Sequence, residues 1–209
     1  MGSSYGAWAV DSRLTHSDSK VFCFGLGEDV SFELALMKRF DCRVFGFDPT
    51  PRSVKYLANE VHDERLKTFA LAISDYDGTA KFLLPPETAA DQVSASGVAN
   101  YQDKACTDVS AQTFEVPCVT LHKAMQLCQQ TKIDILKMDI EGSEYAVLEQ
   151  AILEGWLQNI QQILVEFHHF LPGLEASQTK KIIASLKQKG FRIAWIGRTN
   201  HEYLFTKNN

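Results

Sequence analysis

The stretch DILKMDIEGSEY, residues 134–145, decides the fold. It continues an apolar strand that starts at Ile133, and it turns polar at Asp139. From residue 143 the spacing becomes helical, with Tyr145, Leu148 and Ile152 on one face. A strand that runs through an acid and Gly142 straight into a helix is half of a strand–helix–strand unit, and such units build parallel sheets. Lys137 sits inside this strand. A central strand buried on both faces has no place for an unpaired charge, so Lys137 needs an acid partner elsewhere in the chain.

The same alternation extends in both directions. KVFCF (20–24) reads as a buried strand ending in Gly25-Leu26-Gly27, followed by a helix over 31–40 with Phe32, Leu36 and Phe40 on one face. RVFGF (43–47) stops at Asp48-Pro49, and Pro51 suits a first helical turn. Residues 66–73 form a third strand, and Asp77-Gly78 is a hairpin signal that predicts a partner strand over 79–84. A brief strand over 114–117 precedes a helix capped by Thr120. Residues 162–167 make another strand ending in His168-His169, and a helix over 175–189 closes at Gly190. Strands over 191–196 and 203–206 follow. The expected architecture is an α/β fold: a mostly parallel seven-stranded sheet, helices on both faces, an antiparallel C-terminal strand and a small added hairpin.

With 209 residues and 45% apolar composition, the chain is expected to be a single domain over 1–209 whose core needs no disulfide or structural metal. No apolar run reaches the roughly 18–20 residues of a spanning helix, so no membrane span and a soluble chain are expected. Residues 1–20 hold no apolar signal-peptide core. Five cysteines without a CxxC pair exclude zinc-ribbon and disulfide frameworks and favour reduced thiols in a cytoplasmic compartment. The net charge of −5 is unevenly spread: up to residue 175 there are 14 Lys+Arg against 25 Asp+Glu, and from 176 onward 7 against 1. The basic end reads as a solvated helix face carrying Lys180, Lys181, Lys187 and Lys189, with a docking surface for an anionic partner as the alternative. The acidic bulk argues against a nucleic-acid partner, whose phosphates require many cations.

In sheets of this kind ligands bind beyond the carboxyl ends of the strands, where strand order reverses. The polar punctuation gathers there: Gly25, Leu26, Gly27, Glu28 and Asp29, then Asp48 and Pro49, residues 139–144, and residues 166–169. Glycines after the first strand let backbone amides and a helix N-terminus approach a ligand. A dinucleotide fingerprint needs a third glycine where Val30 stands, and Glu28 and Asp29 repel a pyrophosphate. Those acids suit a cation, such as the ammonium or sulfonium of S-adenosylmethionine; a tight structural turn is the competing reading. Asp48 lies 21 residues after Gly27, near the spacing of about 20 at which an acid accepts ribose hydroxyls. The competing reading there is a helix N-terminal acid before Pro49 and Pro51.

Four stretches taken together, FCFGLGEDVSF (22–32), FGFDPTP (45–51), KMDIEGSE (137–144) and LVEFHH (164–169), resemble the FkbM-type family of S-adenosylmethionine-dependent methyltransferases. The resemblance covers residues 5 to about 169, and KMDIEGSE is its most specific part. It implies a Rossmann-like class I methyltransferase fold, S-adenosylmethionine as cofactor, and O-methylation of a hydroxyl on a small molecule, sugar or other glycan, or natural product. N-methylation, a macromolecular acceptor and a non-catalytic cofactor-binding module are the alternatives.

Within that frame Gly25, Leu26, Gly27, Glu28, Asp48, Pro49, Ser74 and Asp139 are the expected cofactor-binding residues, Ser74 as an acceptor for the adenine amino group. Asp139, at a strand tip, is placed to orient the acceptor or take its proton. Strand alternation puts Glu166 and His168 on the same side, and a histidine with an ordinary pKa of about 6.5 suits a general base. Glu141 and Glu144 are expected to serve the following helix N-terminus. Asp139, Glu166 and His168 could also hold a divalent metal, but no spacing is diagnostic and no metal is expected. Residues 1–19, with Trp8, are expected to cover the cofactor, and residues 85–112, polar and aperiodic, to form a substrate or lid loop.

Overall fold

The computed structural model describes residues 1–4, 6–83 and 113–208. Strand β1 (Lys20–Phe24) pairs in parallel with β2 (Arg43–Phe47) on one side and with β7 (Ile133–Met138) on the other. β3 (Leu66–Phe69) continues outward from β2, and β8 (Ile160–Glu166) from β7, both in parallel. β10 (Glu202–Lys207) inserts antiparallel between β8 and β9 (Phe191–Ile196). The order is β3-β2-β1-β7-β8-β10-β9, so strand order reverses between β1 and β7. The mostly parallel seven-stranded sheet and its antiparallel C-terminal strand are as expected.

Alternation along the strands sends Phe22, Phe24, Phe45 and Phe47 to one face and Val21, Cys23 and Val44 to the other. The first face meets α3 (Leu121–Leu127), α4 (Glu144–Leu153) and α5 (Ala176–Gln188) through Ala124, Leu148 and Leu186. The second meets α1 (Ser31–Phe40) and α2 (Pro51–Glu60) through Phe32, Leu36 and Leu57. Lys180, Lys181, Lys187 and Lys189 form an exposed face at α5 and its C-terminal end. Cys23, Cys42, Cys118 and Cys128 are free and buried.

The third strand departs from expectation. It leaves the main sheet after Phe69, because its neighbour β2 ends at Phe47 and Pro49 has no N–H to continue a ladder. Ala72–Ile73 becomes β4 of a second, three-stranded sheet, ordered β4-β6-β5. The Asp77-Gly78 signal does introduce a strand, β5 (Gly78–Leu83), but its partner is β6 (Thr113–Val119) and not the preceding strand. Asp77 is tied across to β6, its carboxylate accepting the Thr120 amide at 2.7 Å. The anticipated loop over 85–112 lies outside the described residues.

Register in the main sheet decides which residues meet at its carboxyl edge. Phe24 is in register with both Phe47 and Met138, and Met138 with Val165. Gly25, Asp48, Asp139 and Glu166 therefore stand in one row: the first three follow the last residues of β1, β2 and β7, and Glu166 is the last residue of β8. Lys137, on the α1 face, donates to the Gly25 carbonyl at 2.8 Å and lies 3.6 Å from Glu33 Oε1 and 5.5 Å from the Trp8 ring. Burial opposes its charge, but the Glu33 and Asp139 carboxylates hold its pKa above the ordinary range. The acid partner required by the sequence is thus Glu33, fully buried on α1.

Two substitutions test this packing in urea unfolding. Phe22→Ala, which empties a site ringed by Phe24, Phe45 and Phe47, is expected to cost about 3–5 kcal/mol, whereas Leu153→Ala, 85% exposed, should cost under about 0.5 kcal/mol. Lys137→Met strands the Glu33 charge and is expected to cost about 3–5 kcal/mol, with the double variant Glu33→Met/Lys137→Met recovering most of it. A double variant no more stable than Lys137→Met would show that the pair is not coupled.

Candidate active site

The row of strand ends forms the floor of a cavity of about 810 Å³, within the ~300–1,000 Å³ usual for small-molecule sites. Gly25 turns at φ +78, and a Cβ there would collide with the Asp139 carbonyl oxygen, so only glycine lets the β1 and β7 ends close up. Gly27, at φ +60, completes the reversal into α1. Asp48 holds this turn. Its Oδ2 accepts the Leu26 and Gly27 amides, each at 2.9 Å, and its Oδ1 accepts the Thr50 amide at 2.8 Å and hydroxyl at 2.7 Å. Leu26, Gly27, Glu28, Asp48 and Pro49 all line the cavity.

On the α1 side Asp29 accepts from Ser3 Oγ at 2.5 Å and from the Ser31 amide at 2.9 Å, which draws the N-terminal segment across the turn. Gly6, Ala7 and Trp8 consequently line the cavity. Glu28 pairs with Arg52 at 2.6 Å. The opposite wall is apolar, built from Leu71, Ala72, Ile73 and Phe82, where the small sheet meets the large one. Ser74 stands just past this wall, its hydroxyl bonded to Asp75 at 3.1 Å, and is not a lining residue.

The other end of the cavity carries Asp139, Glu141, Glu166, His168 and Glu202. Glu166 on β8 is in register with Glu202 on β10. Burial, reinforced by the Asp139 charge, pushes the Glu166 carboxyl up to about 7. His168 is buried, with Nδ1 2.9 Å from Glu144 Oε1 and Nε2 3.4 Å from Glu141 Oε2 and 3.7 Å from Asp139 Oδ1. Burial alone would depress its pKa, but Glu144, Glu141 and Asp139 outweigh burial and push it up to about 9. His169 turns away, toward Thr179 and the His201 ring.

The structure divides the two helix-start acids that the sequence grouped. Glu144 does serve the turn, accepting from the Ile140 amide at 2.9 Å and the Gly142 amide at 3.0 Å. Glu141, in the left-handed region at φ 52, instead sends its carboxylate to His168. The ligand atoms lying within 4.8 Å of one another are those of Asp139, Glu141 and His168, so Glu141 stands where Glu166 was expected in a metal-holding group. Glu202 was missed, although it is the sole acid after residue 175 and so was visible in the charge pattern.

These surroundings fit S-adenosylmethionine. An apolar wall suits a flat base, carboxylates suit an ammonium and a sulfonium, and the turn amides that would grip a pyrophosphate are already held by Asp48.

Residues 23–193 match the family described as the methyltransferase FkbM domain. The chain is 29% identical over 183 residues to the probable methyltransferase-like protein 24 of Rattus norvegicus, covering 83% of this chain and 42% of that protein. It is 27% identical over 190 residues to the Homo sapiens protein of the same name, covering 87% and 43%. The chain thus spans less than half the length of these curated relatives. Among solved structures it is similar to the Methanococcus jannaschii fibrillarin pre-rRNA processing protein, with TM-score 0.50, 11% identity, and coverage of 95% of this chain and 70% of that one. It is also similar to Aeropyrum pernix fibrillarin in complex with natively bound S-adenosyl-L-methionine, with TM-score 0.45, 10% identity and coverage of 95% and 69%.

At such identity the likeness concerns the fold alone, yet it corrects one expectation. An RNA-processing protein carries this fold, so the exclusion of a nucleic-acid partner falls, and with it the confinement of the acceptor to a small molecule or glycan. The physical reason is that a net charge averaged over 209 residues does not report the charge of any one face. Among the described residues, no helix is long and apolar enough to cross a membrane. Strand order, the cavity at its reversal point and the match over residues 23–193 agree: the chain has a class I methyltransferase fold and belongs to the FkbM methyltransferase domain family.

Proposed function

We propose that the chain binds S-adenosylmethionine in this cavity and methylates a hydroxyl oxygen presented at its acidic end. The observation that carries the reading is the row of Gly25, Asp48, Asp139 and Glu166, which puts a cofactor turn and an acid–histidine cluster on one cavity floor. S-adenosylmethionine, when bound, supplies an electrophilic methyl group on a sulfonium cation.

The chain's own residues do the rest. Gly25, Leu26 and Gly27 give the close-packed turn, and Asp48 holds it while standing at the ribose position. Leu71, Ala72 and Ile73 offer the base an apolar face, and Ser74 lies beside it. Gly6, Ala7 and Trp8 line the α1 side. At the acceptor end Asp139 orients the hydroxyl. Glu166, a half-buried carboxylate whose pKa burial and the Asp139 charge raise to about 7, takes its proton, while His168, set among Glu144, Glu141 and Asp139, holds those carboxylates in place. Much of the rate comes from holding the two reactants within attack distance.

Calorimetry with S-adenosylmethionine tests the cofactor half of this reading. The wild type is expected to bind, and Asp48→Ala to lose at least about tenfold in affinity, roughly 1.4 kcal/mol. A folded wild type that binds neither S-adenosylmethionine nor S-adenosylhomocysteine would sink the proposal. Methyl-transfer assays on hydroxylated small molecules, glycans and RNA then test the acceptor half. Glu166→Gln is expected to lower kcat about 10²–10⁴-fold with cofactor affinity unchanged. Product methylated on nitrogen alone would overturn the hydroxyl assignment.

A further inference from the structure

Three carboxylates converge on one buried imidazole beside the cavity. Glu144 is fully buried at the start of α4, and its carboxylate already accepts two turn amides, from Ile140 and Gly142. A carboxylate so used is an acceptor, so the His168 Nδ1 facing it at 2.9 Å carries a proton and donates it. That bond fixes both the ring's orientation and its tautomer. His168 is 3% exposed, and its Nε2 makes no hydrogen bond among the described residues. Nε2 points instead between Glu141 Oε2 at 3.4 Å and Asp139 Oδ1 at 3.7 Å.

These separations are long for hydrogen bonds and right for ligands that share a cation. Donors each about 2.1 Å from one ion lie roughly 3.0–4.2 Å from one another. All three ligand atoms, from Asp139, Glu141 and His168, fall within 4.8 Å of each other. We propose that Asp139, Glu141 and His168 bind a divalent first-row cation, with Glu144 as the positioning residue behind His168. A carboxylate behind a ligating histidine, bonded to its other ring nitrogen, is the arrangement that orients such a ligand and raises its basicity. The donor set holds one imidazole nitrogen, two carboxylate oxygens and no thiolate, which suits manganese(II) or iron(II).

The role of this cation rests on the proposed function. Asp139, Glu141 and His168 line the cavity that Glu166 also lines, where a bound dication would lower the pKa of an acceptor hydroxyl. In the transfer the acceptor's O–H bond breaks and the proton goes to Glu166. An O–CH3 bond forms, and the S–CH3 bond breaks to leave the cofactor as a neutral thioether. The metal keeps its oxidation state throughout.

The experiment is a titration of the full chain with Mn(II), the free ion read by electron paramagnetic resonance, without cofactor. One ion per chain at micromolar concentration is expected. Glu141→Gln, changed at a side chain 26% exposed, should bind at least about tenfold more weakly with an unchanged circular dichroism spectrum, and Glu144→Gln about tenfold more weakly. Spin-echo modulation from an imidazole nitrogen is expected in the wild type and in Glu144→Gln, and not in His168→Ala. The proposal is overturned if Mn(II) fails to bind below millimolar concentration, if Glu141→Gln binds it unchanged, or if the bound ion shows no nitrogen coupling. Calorimetry with S-adenosylmethionine in a chelator separates the two readings. Cofactor binding without Mn(II) binding overturns the metal site alone, whereas Mn(II) binding without cofactor binding sustains the site and removes the methyl-transfer reading.

Discussion

The carboxylate of Asp48 is the constraint on which the rest of the site depends. Its two oxygens take four donors, two from the β1–α1 turn and two from Thr50 at the start of α2. Two strand-to-helix turns that are remote in sequence are thereby locked to one another at the carboxyl edge of the sheet. The lock has a chemical consequence as well as a structural one. Amides of a glycine turn at a helix N-terminus are natural phosphate ligands, and here Leu26 and Gly27 spend theirs on an internal acid. The turn keeps the shape of a nucleotide-binding turn and loses its attraction for a phosphate.

The same logic governs the two basic side chains of the cavity. Lys137 is engaged by Glu33 and the Gly25 carbonyl, and His168 by Glu144. Neither is free to greet an anion, while Glu28, Asp29, Asp139, Glu141, Glu166 and Glu202 all line the space. A ligand entering here meets these carboxylates and the apolar side chains of Leu71, Ile73 and Phe82. That pattern selects for positive charge, whether carried by a sulfonium, an ammonium or a metal ion, and it does so in a partly enclosed volume where charge is poorly screened.

Much of this was legible in the sequence, and the reasons for the remainder are physical. The main sheet could be read because each of its strands is an apolar run punctuated by a polar residue, and the punctuation fell in one row. The small sheet could not. β5 pairs with β6 across the whole of residues 84–112, and no local pattern encodes a partner that far away. Nor does any pattern show that β2 and β3 end together at Phe47 and Phe69, which leaves Ala72 and Ile73 outside the main sheet. At the site, the position of Asp48 followed from spacing, but its saturation by four protein donors depends on turn dihedrals. The pair Glu141 and Glu144 makes the same point. Both lie at the start of a helix and both reach His168, but Glu144 also takes the two turn amides, whereas Glu141, in the left-handed region, faces the other ring nitrogen.

The error about partners has the same root as these local successes. Electrostatic influence in salt solution fades over about 8–10 Å, so each face of a protein acts with its own charge and not with the average. Here the average of −5 describes neither of the two faces that matter. The cavity mouth is far more acidic than the mean, and the exposed face of α5, with Lys180, Lys181 and Lys187, is strongly basic. The charge of one face says nothing about the charge of the other. Which partner docks is therefore a property of surfaces, while the proposed chemistry is a property of the acid–histidine cluster. The fold lets the two be chosen independently.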